Sequence, residues 1–324
     1  MQIVKWIFKY LLIGALILPL TGCDLLNAGH KTPASLQTAT HQIDESSNQT
    51  GTAAEPNSSQ SDNSKKVEAH KNPPKPPIIS KGNHSNTALY LNEALAELHY
   101  LPVTFMPSLN DSSQTITGAF AKSALREQPL PGKFTWKYPS IAPTLQSGWS
   151  ASTFTTLTQG ALMTYQHNRG LTIDGIAGPQ VWASLAEDLK AGKINLRGYM
   201  YITVEKRLPQ TLKVWKDGKV IYSSLANTGI TQAPSDNGTW PIYLRYTSQT
   251  MQGVDPSGHH YYDPGVPYVS YYHGGEAVHG FWRNSYGTPQ SLGCVELPIQ
   301  NSKTVFNLVT YGTLVTVCNQ LPKS

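Results

Sequence analysis

The sequence predicts a multidomain protein, with a small all-α domain followed by a mainly-β sandwich. Three observations carry this. Apolar residues recur at helical spacing between Asn86 and Ala191. Beyond Arg197 the pattern changes to β-branched and aromatic runs that alternate at a period of two. Between the apolar opening of the chain and Ser85 there is almost no aromatic or long aliphatic run, so that stretch cannot supply a core.

At 324 residues the chain has room for two modest domains and further segments. A net charge of +5 suits an anionic surface. It does not indicate nucleic acid, because no basic run is interleaved with aromatics. The three cysteines, Cys23, Cys294 and Cys318, are too few for a disulfide scaffold.

Residues 1–23 read as a targeting segment. Lys5 and Lys9 precede an apolar run from Tyr10 to Leu20 that is short for a permanent anchor. The run ends in Leu20-Thr21-Gly22-Cys23, which resembles a bacterial lipobox. That resemblance implies lipidation at Cys23 and an extracytoplasmic, membrane-anchored lipoprotein. The plainer alternative is an ordinary signal peptide with an incidental cysteine. Residues 24–85 read as a disordered linker rich in Ser, Thr, Asn and Pro, closing with a stiff Asn72-Pro73-Pro74-Lys75-Pro76-Pro77.

Residues 86–191 read as the helical domain. Leu91, Leu95 and Leu98 share a face of a helix over 87–98, which His99-Tyr100-Leu101-Pro102 ends. Residues 107–143 hold several Pro and Gly and read as loop. A second helix is predicted over 154–168. A third follows Gly178-Pro179 and carries Val181, Trp182 and Leu185.

Residues 197–320 read as the β domain. Strands are predicted over 199–205, 211–216 and 219–225, the last two joined by the Asp217-Gly218 turn. Further strands are predicted over 240–246, 266–272, 276–279 and 314–318, with a short helix over 302–309. The His259-His260-Tyr261-Tyr262 run reads as loop.

The candidate chemistry lies in one glycine-punctuated stretch. His279-Gly280 is followed, after an aromatic segment, by Ser291-Leu292-Gly293-Cys294. A cysteine nucleophile needs a base or imidazolium that keeps it as thiolate, and backbone N–H groups aimed at a developing oxyanion. Gly293 leaves room beside the sulfur, and Gly280 lets the backbone pass close to the histidine. Taken singly, a cysteine is more often an inert core residue and a histidine a satisfied structural one. The pair in one stretch is what singles them out.

This stretch resembles the L,D-transpeptidases of the YkuD type, the peptidoglycan cross-linking cysteine enzymes. The resemblance spans roughly Gly198 to Val317. It includes the strand, Asp-Gly turn and strand followed by Asn227-Thr228-Gly229. Leu292 stands where the family usually has His, and Glu296 where it often has Arg or Asn. Upstream, Gln166, Gly170-Leu171, Asp174-Gly175, Gly178-Pro179 and Trp182 are similar to the bacterial peptidoglycan-binding-domain-1 fold, a three-helix bundle. Most of those residues are turn formers and core residues, so they announce a fold more than a contact surface.

The resemblance implies acyl transfer. Cys294 attacks an amide carbonyl of a peptidoglycan stem peptide, a D-amino acid leaves, and an amine resolves the thioester into a cross-link. His279 handles the protons, the Gly280 carbonyl orients it, and N–H groups around Gly293 and Cys294 face the oxyanion. Ser291 either braces this loop or is a turn residue. Trp282, Arg283, Tyr286 and Tyr272 are candidate substrate-binding residues, with sheet core as the alternative for the aromatics. Arg283 or Arg245 is a candidate replacement for the missing anion-binding residue at 296. Peptidoglycan stem peptides and glycan are the implied partners. An L,D-carboxypeptidase using water, or a wall-binding lipoprotein that has lost activity, are the competing functions. No tight His or Cys ligand spacing is present, so neither a metal nor a cofactor is expected. A Cys294–Cys318 disulfide would disable the nucleophile.

Overall fold

The structure, a computed structural model, describes residues 76–108 and 129–321. The expected leader with Cys23, and the linker up to residue 75, lie outside them. Among the described residues no helix is long and apolar enough to cross a membrane.

The first part runs α1 (Asn86–Glu97), β1 (Val103–Pro107), β2 (Gly132–Trp136), α2 (Pro143–Ser147), α3 (Thr156–Arg169) and α4 (Pro179–Ala191). Local chemistry sets the helix ends. Ser85 caps α1 by accepting from the Ala88 N–H, and Thr155 and Thr158 form a reciprocal capping box on α3. Pro179 opens α4, and Gly170 and Gly192 close α3 and α4 in the left-handed conformation. Leu91, Leu95, Phe154, Leu162, Tyr165, Trp182 and Leu185 meet in the core. Gln166, from the motif, is buried. Its side-chain amide N–H donates to Asp174 and its oxygen accepts from the Gly175 N–H, so it braces the turn.

Two expectations are corrected here. Residues 76–85, read as linker, are packed. Ile79 is 6% exposed and exchanges backbone hydrogen bonds with Ala177, and the Trp182 indole N–H donates to Pro77 O. The apolar Ile78-Ile79 pair was the local signal, masked by its Pro- and Ser-rich surroundings. The stretch read as loop contains β2, which pairs antiparallel with β1 and packs Phe134 against Phe105 with the rings tilted.

The second part runs β3 (Met200–Glu205), β4 (Thr211–Lys216), β5 (Lys219–Leu225), β6 (Gly238–Pro241), β7 (Leu244–Val254), β8 (His260–His273), β9 (Glu276–Gly280), β10 (Val295–Leu297), α5 (Ile299–Leu308) and β11 (Leu314–Cys318). Two sheets form, in the orders β5-β4-β3-β11-β6 and β10-β9-β8-β7. Ile202, Val204, Val214 and Val315 from one sheet pack with Tyr272, Val278, Val295 and Leu297 from the other. Asp217 and Gly218 both take positive φ, as a two-residue hairpin turn requires.

The strand expected over 240–246 is broken in two. Ile242, just past Pro241, still bonds the β11 side, donating to Thr313 O and accepting from the Gly312 N–H, whereas the Tyr243 N–H donates to Tyr271 O of the other sheet. Gly238–Pro241 therefore pairs with β11, while Leu244 onward pairs with β8 in the other sheet. The loop expected at 259–262 is also corrected. The turn ends at His259, where Asp255 Oδ1 accepts from the Ser257 and His259 N–H groups, and strand β8 starts at His260.

The helical part packs on the outer face of the five-stranded sheet. Tyr199, Tyr201 and Leu314 belong to its core. Tyr138 Oη donates to Asp217 Oδ1 at 2.7 Å, and Ser140 Oγ to Gly218 O at 2.6 Å. At Gly160 and Gly312 the backbones of α3 and the turn before β11 approach so closely that a Cβ on either would strike the other's carbonyl.

Candidate active site

β9 and β10 run parallel, with Val278 opposite Val295 and His279 opposite Glu296. Cys294 is the residue before β10, so this pairing brings the thiol and the imidazole to one cleft. The cleft encloses about 570 Å³. The long β7–β8 hairpin contributes Met251, Gln252, Tyr261 and Asp263 to its wall. His279, Ser291, Leu292, Cys294, Arg283 and Glu296 also line it.

His279 is 2% exposed. Its Nδ1 lies 3.1 Å from Gly280 O. A carbonyl can only accept, so Nδ1 carries the hydrogen in that bond, and Nε2 is left as the basic nitrogen. The backbone at 280 must be glycine here. A Cβ would strike Ser302 Oγ and crowd Pro267 and Ile299.

Cys294 and Cys318 are both free thiols, so no disulfide joins them. Cys294 Sγ lies 3.9 Å from Gly275 O and makes no hydrogen bond to His279. Protein surrounds the sulfur on most sides while the residue keeps an open side toward the cleft. Burial pushes the thiol up to about 12, the Glu296 and Glu276 carboxylates add to this, and the Ala277 N–H opposes it. Burial also lowers the His279 pKa, with the Arg283 charge acting the same way and the Gly280 carbonyl, Glu296 and Asp263 acting against. Both shifts run toward the uncharged forms, thiol and imidazole, because desolvation dominates and the carboxylates nearest the sulfur are negative.

The cysteine loop is held from within and from outside. Ser291 Oγ donates to Cys294 O at 2.5 Å and accepts from the Gly293 N–H at 3.3 Å. The Gly293 N–H, expected to face an oxyanion, is thus partnered by Ser291 Oγ. Gly293 sits at φ +113°, a conformation side chains rarely adopt. Three bracing residues escaped the sequence reading. Ser235 Oγ donates to Gly293 O at 2.6 Å and accepts from the Gly229 N–H. The Asn227 side chain accepts from the Gly287 and Thr288 N–H groups and donates to Ser285 O. Thr228 O accepts from the Gln290 and Ser291 N–H groups. Asn227 and Thr228 read only as part of a polar run at a strand end, and nothing local marks Ser235.

The expected substrate-binding residues separate. Arg283 lines the cleft, but its guanidinium donates to both Glu296 oxygens, at 2.8 and 2.7 Å, and to Gln290 O. Tyr272 is a core residue, 2% exposed, with its hydroxyl on Glu276. Tyr286 braces the loop, donating to Phe281 O and accepting from the Arg283 N–H. Trp282 is 71% exposed and outside the cleft wall. Arg245 packs on Phe306 and donates to its carbonyl, away from the cleft.

Residues 199–317 match the L,D-transpeptidase catalytic domain family, YkuD. This segment is a YkuD domain. Residues 137–185 match a peptidoglycan-binding domain family. Among solved structures, the catalytic domain of an E. faecium L,D-transpeptidase is similar at 27% identity, covering 37% of this chain and 96% of that one, with a TM-score of 0.34. L,D-transpeptidase 3 from Mycobacterium tuberculosis is similar at 19% identity, over 37% of this chain and 61% of that one, with a TM-score of 0.33. An L,D-transpeptidase from Mycobacterium smegmatis is similar at 22% identity, over 37% and 59%, with a TM-score of 0.32. This chain therefore spans about three fifths of the mycobacterial chains it resembles. No curated protein sequence matches it.

Proposed function

We propose that this protein is an extracytoplasmic cell-wall L,D-transpeptidase that works through a Cys294 thioester. The observation that carries the reading is the shared cleft of Cys294 and His279 within a YkuD domain, with His279 oriented by Gly280 O. Cys294 Sγ attacks an amide carbonyl of a peptidoglycan stem peptide as its proton passes to His279 Nε2. The Cys294 N–H faces the oxyanion, since that of Gly293 is engaged. The C–N bond breaks, the leaving D-amino acid takes the proton from His279, and the acyl group stays on sulfur. An acceptor amine then gives its proton to Nε2, attacks the thioester and restores the thiol as the cross-link closes. A neutral resting pair suits this cycle, because the imidazole begins as a base. Lipid anchoring at Cys23 would hold the enzyme at the membrane with its folded part reaching the wall.

The test is incubation of the protein with disaccharide-tetrapeptide fragments, read by mass spectrometry beside Cys294→Ala. Dimers that have lost a terminal D-residue, absent with the variant, are the expected products. Monomers shortened by that residue would assign the carboxypeptidase reaction instead. Unchanged substrate with folded, reduced protein would leave a wall-binding protein without this activity.

A further inference from the structure

Asp263 stands in the wall of the Cys294 cleft as a carboxylate without a partner. On β8, Tyr261 and Asp263 alternate onto one strand face and both line the cleft, whereas Tyr262 between them is 66% exposed. Met251 of β7 is the register partner of Asp263 and lines the cleft beside it. The Asp263 carboxylate makes no hydrogen bond or ion pair among the described residues. We propose that Asp263 binds the ammonium of the acceptor, a primary amine on a short alkyl stem; this rests on the function proposed above and adds to it the group that recruits the second substrate.

The charges of the wall select a cation. Two carboxylates, Asp263 and Glu296, and one guanidinium line the cleft. Arg283 gives Nε and Nη2 to Glu296, so that pair is neutral within itself. Asp263 is the carboxylate left over, and it makes the wall acidic by one charge. A half-buried, unpaired carboxylate in a cleft concentrates cations there. One carboxylate without further oxygen ligands around it does not make a metal site, so the cation is an organic one. Tyr261 and Met251 beside it offer an aromatic face and a thioether, which suit an ammonium and the methylenes behind it. The same charge repels anions. A donor whose leaving group ends in a free carboxylate is therefore not the partner of Asp263.

Position ties the carboxylate to the second half of the reaction. The Asp263 charge acts on His279, and Tyr261 lies within range of both Asp263 and Cys294. An ammonium seated on Asp263 is thus near the acyl-sulfur and the base, while His279 keeps its own contact with Gly280 O. The bound ammonium first releases one proton to water. The nitrogen then attacks the thioester carbonyl, the C–N bond forms and the C–S bond breaks. The second proton passes through His279 Nε2 to the departing sulfur. The products are an amide, the restored thiol and one proton in solution. Asp263 has no comparable hold on an uncharged water molecule. It therefore weights the acyl-enzyme toward aminolysis over hydrolysis, which is the choice between transpeptidase and carboxypeptidase chemistry.

The experiment compares the full chain with Asp263→Asn and Asp263→Glu. Cys294 is acylated with a stem tetrapeptide whose own side-chain amine is acetylated. The acyl-enzyme is then offered a lysine-containing tripeptide, or hydroxylamine, which is uncharged near neutral pH. The expected result in Asp263→Asn is an acceptor KM about tenfold higher for the lysine peptide, with a smaller fall in kcat. Hydroxylamine shows no matching change, and Asp263→Glu recovers most of the loss. An unchanged KM for the lysine peptide, or an equal loss with hydroxylamine, overturns the proposal. A second measurement needs no turnover. By NMR titration, Cys294→Ala should bind the lysine tripeptide about tenfold more tightly than its Nε-acetyl form, and Cys294→Ala/Asp263→Asn should lose that difference. If no peptide acylates Cys294 yet this difference is present and depends on Asp263, the ammonium site stands and the transpeptidase reading falls. If the difference is absent, the proposal falls whatever the activity.

Discussion

Glu296 and Arg283 form a two-pronged ion pair against His279. The carboxylate is 4% exposed, receives Arg283 Nε and Nη2 at 2.8 and 2.7 Å, and stands opposite His279 in the β9–β10 register. Each residue accounts for the other: the acid at 296 reverses a charge, and the arginine on the preceding loop restores neutrality. Neither is then a free anion-binding group.

Removing one partner should therefore cost more than removing both. Arg283→Met leaves a buried carboxylate without its cation and should lose about 3 kcal/mol of unfolding free energy. Arg283→Met/Glu296→Leu should recover most of it. The single variants also push His279 in opposite directions, since Glu296 raises its pKa and Arg283 lowers it. The acid limb of the acylation-rate profile should move to higher pH in Arg283→Met and to lower pH in Glu296→Gln. Urea titrations and stopped-flow acylation check both, and limbs moving in the same direction would refute the assignment.

The resting protonation states predict the shape of that profile in the unmodified enzyme. His279 is lowered from its usual 6.5, so the rate should rise as its imidazolium deprotonates below that value and then level off. No second rise is expected where an ordinary thiol titrates, because burial pushes Cys294 up to about 12. Iodoacetamide, which needs thiolate and receives no help from a base, should alkylate Cys294 more slowly than free cysteine near neutral pH. A rate that climbs only above about pH 8 would place a thiolate at the centre of the reaction.

How far these features could be read in advance depended on how local their causes are. Strands β4 and β5 follow the alternation of Leu212, Val214 and the residues around them, and the Asp217-Gly218 turn joins them, all within one short window. Cys294, His279 and Gly280 stood out by residue type and spacing, and the cleft brings the first two together. Strand β10 did not stand out, because three residues carry no period and its partner β9 lies across the loop. Ser235 and Asn227 looked like loop residues, and their work is done on carbonyls and amides far along the chain. The change of sheet after Pro241 was not legible either, because it is made by long-range partners: Ile242 bonds Thr313 beside one sheet and Tyr243 bonds Tyr271 of the other.

Gly280 should be intolerant even of a methyl group. Its Cβ would strike Ser302 Oγ, with Pro267 Cγ at 3.1 Å and Ile299 Cα at 3.3 Å behind. Ser302 cannot swing away freely, because it is buried and donates to Ile299 O at 2.7 Å. Gly280→Ala should lose about 1–3 kcal/mol and lower kcat by displacing the carbonyl that orients His279. Adding Ser302→Ala should restore part of the stability. Unaltered kcat in Gly280→Ala would separate that carbonyl from catalysis.

The helical part carries its own titration. Glu93 is fully buried, with Oε2 accepting from the Leu130 N–H at 2.9 Å and Oε1 unpartnered among the described residues. Burial raises its pKa from 4.5 to about 7, and the Leu130 hydrogen bond works against that shift. The folded state thus holds the proton more tightly than the unfolded chain. The stabilisation is fully present below the unfolded value of 4.5 and is lost as pH rises through about 7. A shift of this size corresponds to on the order of 3 kcal/mol. Glu93→Gln keeps the acceptor for Leu130 and cannot ionise, so its unfolding free energy should change little between about pH 5 and about pH 8, while the unmodified protein weakens across that interval. Parallel slopes in the two proteins would assign the pH dependence to other groups.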